Sequence, residues 1–253
     1  MLTKNSSIIA LYIKKRFDIL YSQYKPDTIS IEILFAAIDS FADYTWSFFV
    51  GNNKITIIVF DSYYMKKWQV ERRDTVSRQT VFSVEKLACY HPQKKIKHDF
   101  YILNNPDWVN IVAVDNNGNV ILVKQHRLGT DEYTIETVAG LIDPGEDPLQ
   151  AASRELLEET GYKAETFILL KKLAANPAIM NNYIYFYCAL DAHKVANQAL
   201  DLAEDIEIVT LQTGEVINNM KNGTINHSII VTALLLFFMS PYCSFPKEDI
   251  VIY

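Results

Sequence analysis

Residues 140–162 constrain the fold of this 253-residue chain more than any other segment. A glycine-bearing loop leads into a stretch of helical character, for which Asp147 is a suitable N-cap and Pro148 a suitable first residue. Gly161 is placed to end the helix in a left-handed turn. The segment therefore predicts a loop followed by a helix over residues 148–159, with both helix ends fixed by the local sequence.

Three glutamates of this predicted helix share one face. At 100° per residue, Glu155, Glu158 and Glu159 fall within an arc of about 100°. Carboxylates this close repel one another, and a hard divalent cation such as Mg²⁺ or Mn²⁺ would turn the repulsion into coordination. The alternative is a solvated charged face, which describes most charge runs. The sequence on either side of the predicted helix favours the interpretation as a metal site.

The spacing of the segment resembles the Nudix box. Gly140 is followed after five residues by a glutamate, after seven more by Arg-Glu-Leu, and then by a glutamate pair and a glycine. The sequence agrees at every specified position as far as Gly161, and only Tyr162 departs, where an aliphatic residue is preferred. The chain is identified as a member of the Nudix hydrolases on this resemblance. The resemblance implies an α/β fold, namely an α/β/α sandwich with a mixed β-sheet.

The resemblance also assigns a role to each box residue. The implied metal ligands are the backbone carbonyl of Ala139 and the carboxylates of Glu155, Glu158 and Glu159. Arg154 is expected to orient a glutamate through a salt bridge, and Glu146 to brace the loop. Arg154 and Glu155 therefore count among the catalytic residues. The implied cofactor is Mg²⁺, with Mn²⁺ as a substitute.

Segments outside the box resemble the ADP-ribose pyrophosphatase branch of the same family. Four of them are residues 106–110, 123–127, 135–140 and 176–183. The last places Pro177 16 residues after Gly161, a spacing associated with the branch, which makes Pro177 a substrate-binding candidate. Asn181 and Asn182 follow where many branch members carry an acidic residue. This difference leaves nucleotide sugars other than ADP-ribose open as substrates.

The branch resemblance further implies residues that bind the substrate and activate water. Arg127 is expected to grip the diphosphate, because a guanidinium fork matches phosphate geometry. Glu136 is expected to contact the metal or the terminal ribose, and is otherwise a carboxylate on a strand. Glu204 is the candidate general base and the third catalytic residue. Asp201 and Glu207 are the alternatives to it.

Aromatic residues and histidines give weaker indications. Trp68, Phe82 and Trp108 are of the type that stacks on nucleobases, although aromatic side chains more often belong to a core. The five histidines show no metal-ligand spacing, which makes them ordinary core or surface residues.

The function implied by the resemblance is metal-dependent hydrolysis of the pyrophosphate bond of ADP-ribose or a related nucleotide sugar. The products would be a nucleoside monophosphate and a sugar phosphate. Cleavage of capped mRNA or dinucleoside polyphosphates is a second enzymatic hypothesis, but a formal charge of −6 argues against nucleic acid. A catalytically silent Nudix domain that senses a nucleotide sugar is the third. The full set of box carboxylates favours an enzyme.

The chain is predicted to contain two regions, residues 1–65 and residues 66–253. Apolar residues three and four apart predict two helices in the first region, over residues 9–24 and 31–41, and residues 54–60 are β-rich. This small, mostly helical N-terminal extension is expected to serve packing or dimerisation. The second region is the Nudix domain, with predicted strands over residues 80–89, 100–103, 110–114, 120–123, 167–173, 183–190 and 206–211.

Location and assembly follow from composition and from the resemblance. Three widely spaced cysteines indicate reduced thiols and a cytoplasmic protein. The longest apolar run, residues 229–239, is shorter than the ~20 residues that span a bilayer, so no membrane segment is predicted. The family resemblance and the apolar C-terminal region predict a homodimer.

Overall fold

The computed structural model of the protein describes residues 29–30, 44–50, 53–59 and 66–243. The chain divides into two compact units, Met1–Trp68 with His91–Lys94 and Gln69–Tyr90 with Lys95–Tyr253. Within the described residues the second unit contains three helices, and each unit contains its own β-sheets.

The described part of the first unit is a three-stranded sheet. Strands β1 (Ile29–Ser30), β2 (Tyr44–Val50) and β3 (Asn53–Val59) pair in that order and antiparallel. Strand β3 coincides with the β-rich stretch found in the sequence. The predicted helices over residues 9–24 and 31–41 lie outside the described residues.

A second three-stranded sheet opens the other unit. Its strands pair in the order β4 (Gln69–Arg78), β5 (Ser83–His91) and β6 (Ile96–Asn104). Strand β5 overlaps the strand predicted over residues 80–89, and β6 is longer than the strand predicted over residues 100–103, whereas β4 is absent from the sequence prediction. Almost every residue of β4 is exposed, so neither face imposes an apolar alternation that the sequence could display.

The main sheet has eight strands and is mixed. It contains β7 (Trp108–Asp115), β8 (Asn119–Arg127), β9 (Glu132–Glu136), β10 (Val138–Leu141), β11 (Tyr162–Lys163), β12 (Thr166–Ala174), β13 (Tyr183–Lys194) and β14 (Ile206–Gln212). The central order is β11-β13-β7-β8-β14, with β12 on β13, β10 on β7 and β9 on β8. Strands β7 and β13 are parallel, and the other strand pairs of this sheet are antiparallel.

Helices cover both faces of this sheet. Helix α1 (Pro148–Thr160) packs on the face that holds Val109 and Ile111 of β7. Helices α2 (Thr213–Lys221) and α3 (Ser228–Met239) pack on the opposite face, against Val112 and its neighbours. The predicted α/β/α sandwich with a mixed sheet is therefore confirmed.

Helix α1 has the ends that its sequence predicts. The Asp147 side chain accepts a hydrogen bond from the Leu149 backbone N–H at 2.9 Å. Gly161 adopts a φ of 72°, and its N–H donates to the Leu157 carbonyl, which ends the helix in a left-handed turn. These contacts fix where α1 begins and ends, and thus where its glutamates lie along β10.

Two further observations concern the cysteines and the apolar run near the C-terminus. Cys89, Cys188 and Cys243 are buried and form no disulfide. Within the described residues no helix is both long enough and apolar enough to cross a membrane, and the apolar run over residues 229–239 lies in α3, which has 12 residues.

Candidate active site

Arg154, in the middle of α1, joins three glutamates. Its Nε and Nη2 donate to the two carboxylate oxygens of Glu146, each at 2.9 Å. Its Nη1 donates to Glu155 at 2.8 Å and to Glu158 at 3.0 Å. These hydrogen bonds lower the pKa of Glu146 and raise that of Arg154. One guanidinium therefore ties the box loop to the acidic face of the helix.

Glu159 is the most enclosed of the box carboxylates. The residue is 4% exposed, and its Oε2 accepts a hydrogen bond from the Ala139 N–H at 3.4 Å. Burial and the charge of Glu155 raise the pKa of Glu159 to about 8. Burial also raises the pKa of Glu155, although Arg154 opposes that shift. The ionised forms of Glu155 and Glu159 are therefore both disfavoured in the protein without a bound cation.

Gly140 allows β10 to approach α1 closely. A Cβ atom at this position would lie 2.0 Å from the carboxylate of Glu155. No side chain larger than hydrogen fits there unless Glu155 moves. The first glycine of the box is therefore required by a close approach, and not by an unusual backbone angle.

The box residues fit a divalent metal in their donor chemistry. Their carboxylate oxygens are hard donors of the kind that Mg²⁺ and Mn²⁺ prefer, and a bound cation would favour the ionised form of Glu159, whose pKa burial and Glu155 raise. In the described residues no three acidic, histidine or cysteine side chains are already arranged as a metal shell. Glu155 and Glu158 contact Arg154 instead, so a side chain must turn for three carboxylates to share one ion.

The acidic loop before β14 brings one of the three general-base candidates toward the box. Glu204 is exposed, and its charge contributes to the raised pKa of both Glu155 and Glu159. Its carboxylate accepts a hydrogen bond from the Asp201 N–H at 2.9 Å. Glu207 lies on β14 and forms an ion pair with Lys124 of β8 at 3.6 Å. The electrostatic effect of Glu204 on Glu155 and Glu159 favours it as the general base.

Arg127 and Glu136 form a two-pronged ion pair. Arg127 donates from Nε at 2.7 Å and from Nη2 at 2.5 Å, and the Thr134 hydroxyl donates to the same carboxylate at 2.5 Å. Burial alone raises the pKa of Glu136, which is 1% exposed, but these hydrogen bonds outweigh it and the pKa is lowered. Both oxygens of Glu136 are thus engaged, while Nη1 of Arg127 makes no hydrogen bond with the described residues.

Pro177 lies at the surface, in a turn before β13. The Met180 N–H donates to the Asn176 carbonyl at 2.7 Å to close this turn. The Leu103 N–H of β6 donates to the Ile179 carbonyl at 2.8 Å. The structure therefore places Pro177 in a surface turn that the second hydrogen bond joins to β6.

A cavity of about 400 Å³ adjoins the box on the α3 side of the sheet. Its lining residues are Trp108, Val109, Asn110, Arg127, Glu136, Ala139, Gly140, Leu141, Ile184, His227, Ile229 and Ile230. Sequence analysis missed Asn110 and His227. Asn110 ends one of the segments that resemble the branch, but nothing in the sequence assigns it a contact, because β7, β10 and the start of α3 meet only in the folded chain.

The sequence and the fold were compared with known proteins. Residues 105–223 match the family model described as NUDIX domain. The methanol dehydrogenase activator of Bacillus methanolicus is 33% identical over 134 residues, which are 53% of this chain and 72% of that protein. The ADP-ribose pyrophosphatase of Bacillus subtilis is 27% identical over 135 residues, 52% of this chain and 72% of that protein.

A solved structure described as an ADP compounds hydrolase has the same fold. Its TM-score is 0.62 at 27% sequence identity, and the match covers 69% of this chain and 94% of that one. The residues matched by the family model include all of α1 and both sides of the ion pair between Arg127 and Glu136. The chain therefore belongs to the Nudix hydrolases, the enzymes that hydrolyse pyrophosphate bonds, and within them to the ADP-ribose pyrophosphatase-like branch.

Proposed function

We propose that this hydrolase cleaves the pyrophosphate bond of ADP-ribose or a related nucleotide sugar, with Mg²⁺ as its metal. The products are a nucleoside monophosphate and a sugar phosphate. The observation that carries the proposal is the set of box glutamates beside the backbone of β10, of which Glu159 is buried and poorly compensated. The similarity to an ADP-ribose pyrophosphatase and an ADP compounds hydrolase supports the substrate class.

The box residues hold the metal. Glu155, Glu158 and Glu159 supply carboxylate oxygens, and Ala139 supplies its carbonyl. A bound divalent ion supplies positive charge to the diphosphate and lowers the pKa of a water molecule. Arg154 keeps Glu155 and Glu158 on the same side of α1 through its Nη1. Mn²⁺ has the same preference for oxygen donors and is expected to substitute.

Two residues outside the box act on the substrate itself. Arg127 binds the diphosphate through Nη1, while Glu136 holds the guanidinium from the other side. Glu204 accepts the proton of the attacking water, since it is exposed, and its charge acts on the pKa of Glu155 and Glu159.

The experiment is a panel of nucleotide sugars assayed with Mg²⁺, with Mn²⁺ and with EDTA. ADP-ribose, ADP-glucose, GDP-mannose and a UDP-sugar are incubated with the protein, and the products are identified by ion-exchange chromatography. The expected result is a nucleoside monophosphate and a sugar phosphate from at least one of them, only with metal. Tight binding of a nucleotide sugar without turnover would instead indicate a sensor and would overturn the proposal.

A further inference from the structure

The cavity next to the box has an uneven lining. Apolar side chains form much of its wall, namely Trp108, Ile184, Ile229 and Ile230. The remaining side chains include the ion pair between Arg127 and Glu136, together with Asn110 and His227. Its volume of about 400 Å³ lies within the range of about 300–1,000 Å³ that is usual for small-molecule sites.

Asn110 brings a buried polar atom without a partner to this cavity. The residue is 1% exposed, and its Oδ1 accepts a hydrogen bond from the Thr137 hydroxyl at 2.8 Å. That contact assigns the amide orientation and leaves Nδ2 as a donor with no hydrogen-bond partner among the described residues. A buried donor without a partner is unfavourable, and an acceptor atom of a ligand would satisfy it.

His227 contributes a second such atom from the start of α3. Its Nδ1 is buried and has no hydrogen-bond partner in the part of the chain that the structure describes. The residue immediately precedes α3, whose first turn adds Ile229 and Ile230 to the lining. Asn110 of β7 and His227, which precedes α3, therefore each bring one unsatisfied polar atom to the set of residues that lines this cavity.

This combination favours a flat heteroaromatic ring over a sugar. A ribose carries several hydroxyl groups, and each needs a partner when it is buried. A nucleobase presents two apolar faces, which suit the isoleucines and Trp108, and a polar edge, which needs few partners. Both oxygens of Glu136 are already engaged by Arg127 and Thr134, so they offer little to hydroxyl groups.

We propose that this cavity is the nucleobase subsite of the enzyme, and that Asn110 and His227 read the edge of the base. The inference rests on the proposed function, because it places the nucleoside half of a nucleotide sugar. Ala139 and Gly140 line the cavity and also contact the box glutamates through the Ala139 N–H and the close approach of Glu155. The diphosphate then lies at Arg127, between the base and the metal ligands.

The test measures binding without turnover. AMP, GMP, CMP, UMP and ribose 5-phosphate are titrated into the full-length protein by calorimetry, in EDTA. Wild-type protein is expected to bind at least one nucleotide. His227→Leu, which removes the ring nitrogens, and Ile229→Trp, which fills the cavity, are each expected to raise the Kd of that nucleotide about tenfold or more, since a lost hydrogen bond or a blocked cavity weakens binding. The Kd of ribose 5-phosphate is expected to stay within about twofold.

Two further variants sharpen the test. His193→Leu makes the same change at an exposed histidine of β13 and is expected to leave every Kd unchanged. Asn110→Asp replaces the unpartnered donor with an acceptor of the same shape and is expected to change the order of affinity among the four nucleotides. Thermal melting shows whether each variant is folded, and the two variants His227→Leu and Ile229→Trp decide the question if Asn110→Asp is not.

Three outcomes are distinguishable. Unchanged nucleotide affinity in both cavity variants would overturn the subsite, even if nucleotide sugars are hydrolysed. A rise in the Kd of ribose 5-phosphate without one for the nucleotides would also overturn it and place the sugar phosphate in the cavity. Selective loss of nucleotide binding supports the subsite, even when no nucleotide sugar in the panel is hydrolysed and the proposed function fails.

Discussion

The three glutamates that share one face of α1 differ in their surroundings. Glu159 is 4% exposed, whereas the side chains of Glu155 and Glu158 are 12% and 43% exposed. Arg154 contacts the two more exposed residues, and Glu159 has only a long hydrogen bond from Ala139. A helix that only needed solubility would place its least solvated carboxylate elsewhere, since an uncompensated buried charge is costly. Function explains the arrangement better than stability does.

Glu158→Gln and Glu159→Gln are each expected to lower turnover by about 100-fold or more, because a lost metal ligand removes stabilisation of the charge that develops in the transition state. Turnover of the best nucleotide sugar with Mg²⁺ is the measurement, with thermal melting to show that the fold is intact. Glu165→Gln makes the same change at an exposed glutamate outside α1 and should leave turnover unchanged. Wild-type turnover in both box variants would contradict the assignment.

The raised pKa of Glu159 predicts how stability depends on pH in the absence of metal. The folded protein keeps the Glu159 proton up to about pH 8, whereas the unfolded chain loses it near the ordinary value of 4.5. Between these values the folded state binds more protons, so the free energy of unfolding falls as pH rises. For this one group the slope reaches at most about 1.4 kcal/mol per pH unit.

Urea unfolding in EDTA between pH 5.5 and pH 8 measures this slope. Glu159→Gln cannot ionise at this position, so its free energy of unfolding should fall less steeply with pH than that of the wild type. The other titrating residues are common to the two proteins, so the comparison isolates the titration of Glu159 together with its coupling to Glu155. Parallel curves would show that Glu159 is ionised throughout this pH range in the folded protein.

The elements that the sequence predicts best have their determinants within a few residues. The bounds of α1 follow from Asp147, which caps its first turn, and from Gly161, which ends it. Strand β4 was not predicted because its residues are exposed on both faces. Helix α3 was recognised only as an apolar run, since apolar residues surround its axis and leave no polar face.

The part of the candidate site that the sequence could not provide is assembled from distant segments. Asn110 of β7 and His227 before α3 are more than a hundred residues apart, and only the order of strands in the main sheet brings them to one cavity. The ion pair between Arg127 and Glu136 does not follow from strand register either, because the register of β8 and β9 places Arg127 opposite Glu132 and Glu136 opposite Val123. Spacing in the sequence carries no record of such contacts.

Gly140→Ala is expected to lower turnover at least tenfold while the protein remains folded. The added Cβ atom would lie 2.0 Å from the Glu155 carboxylate, the mobile end of a side chain, so Glu155 moves and the metal loses a ligand. Gly129→Ala is the matched control, because no atom lies within 4 Å of a Cβ at that position and the residue has no positive φ. Equal turnover and equal melting temperatures of the two variants would contradict the close-approach argument.

At the scale of the whole molecule, the family and the layered fold of the main sheet followed from the box and the order of the strands. The box identifies a single helix and loop, but that helix requires a sheet to pack on, and the short strands around it supply one. The arrangement of residues 1–65 could not be predicted in the same way. They contain no catalytic motif, and their described part consists of β1, β2 and β3.

The sheet β4-β5-β6 leads us to expect a homodimer. Val70, Val76, Ile96 and Tyr101 of this sheet are each about half exposed, and exposed apolar side chains are available to pack against a second copy of the chain. Light scattering at micromolar concentration should give twice the mass of the chain.

Val76→Lys should shift the protein toward the monomer without lowering its melting temperature, because a charge at the interface opposes association but is solvated in the monomer. Val195→Lys, at a similarly exposed valine after β13, should remain dimeric. A wild-type mass equal to that of one chain would contradict the expected homodimer.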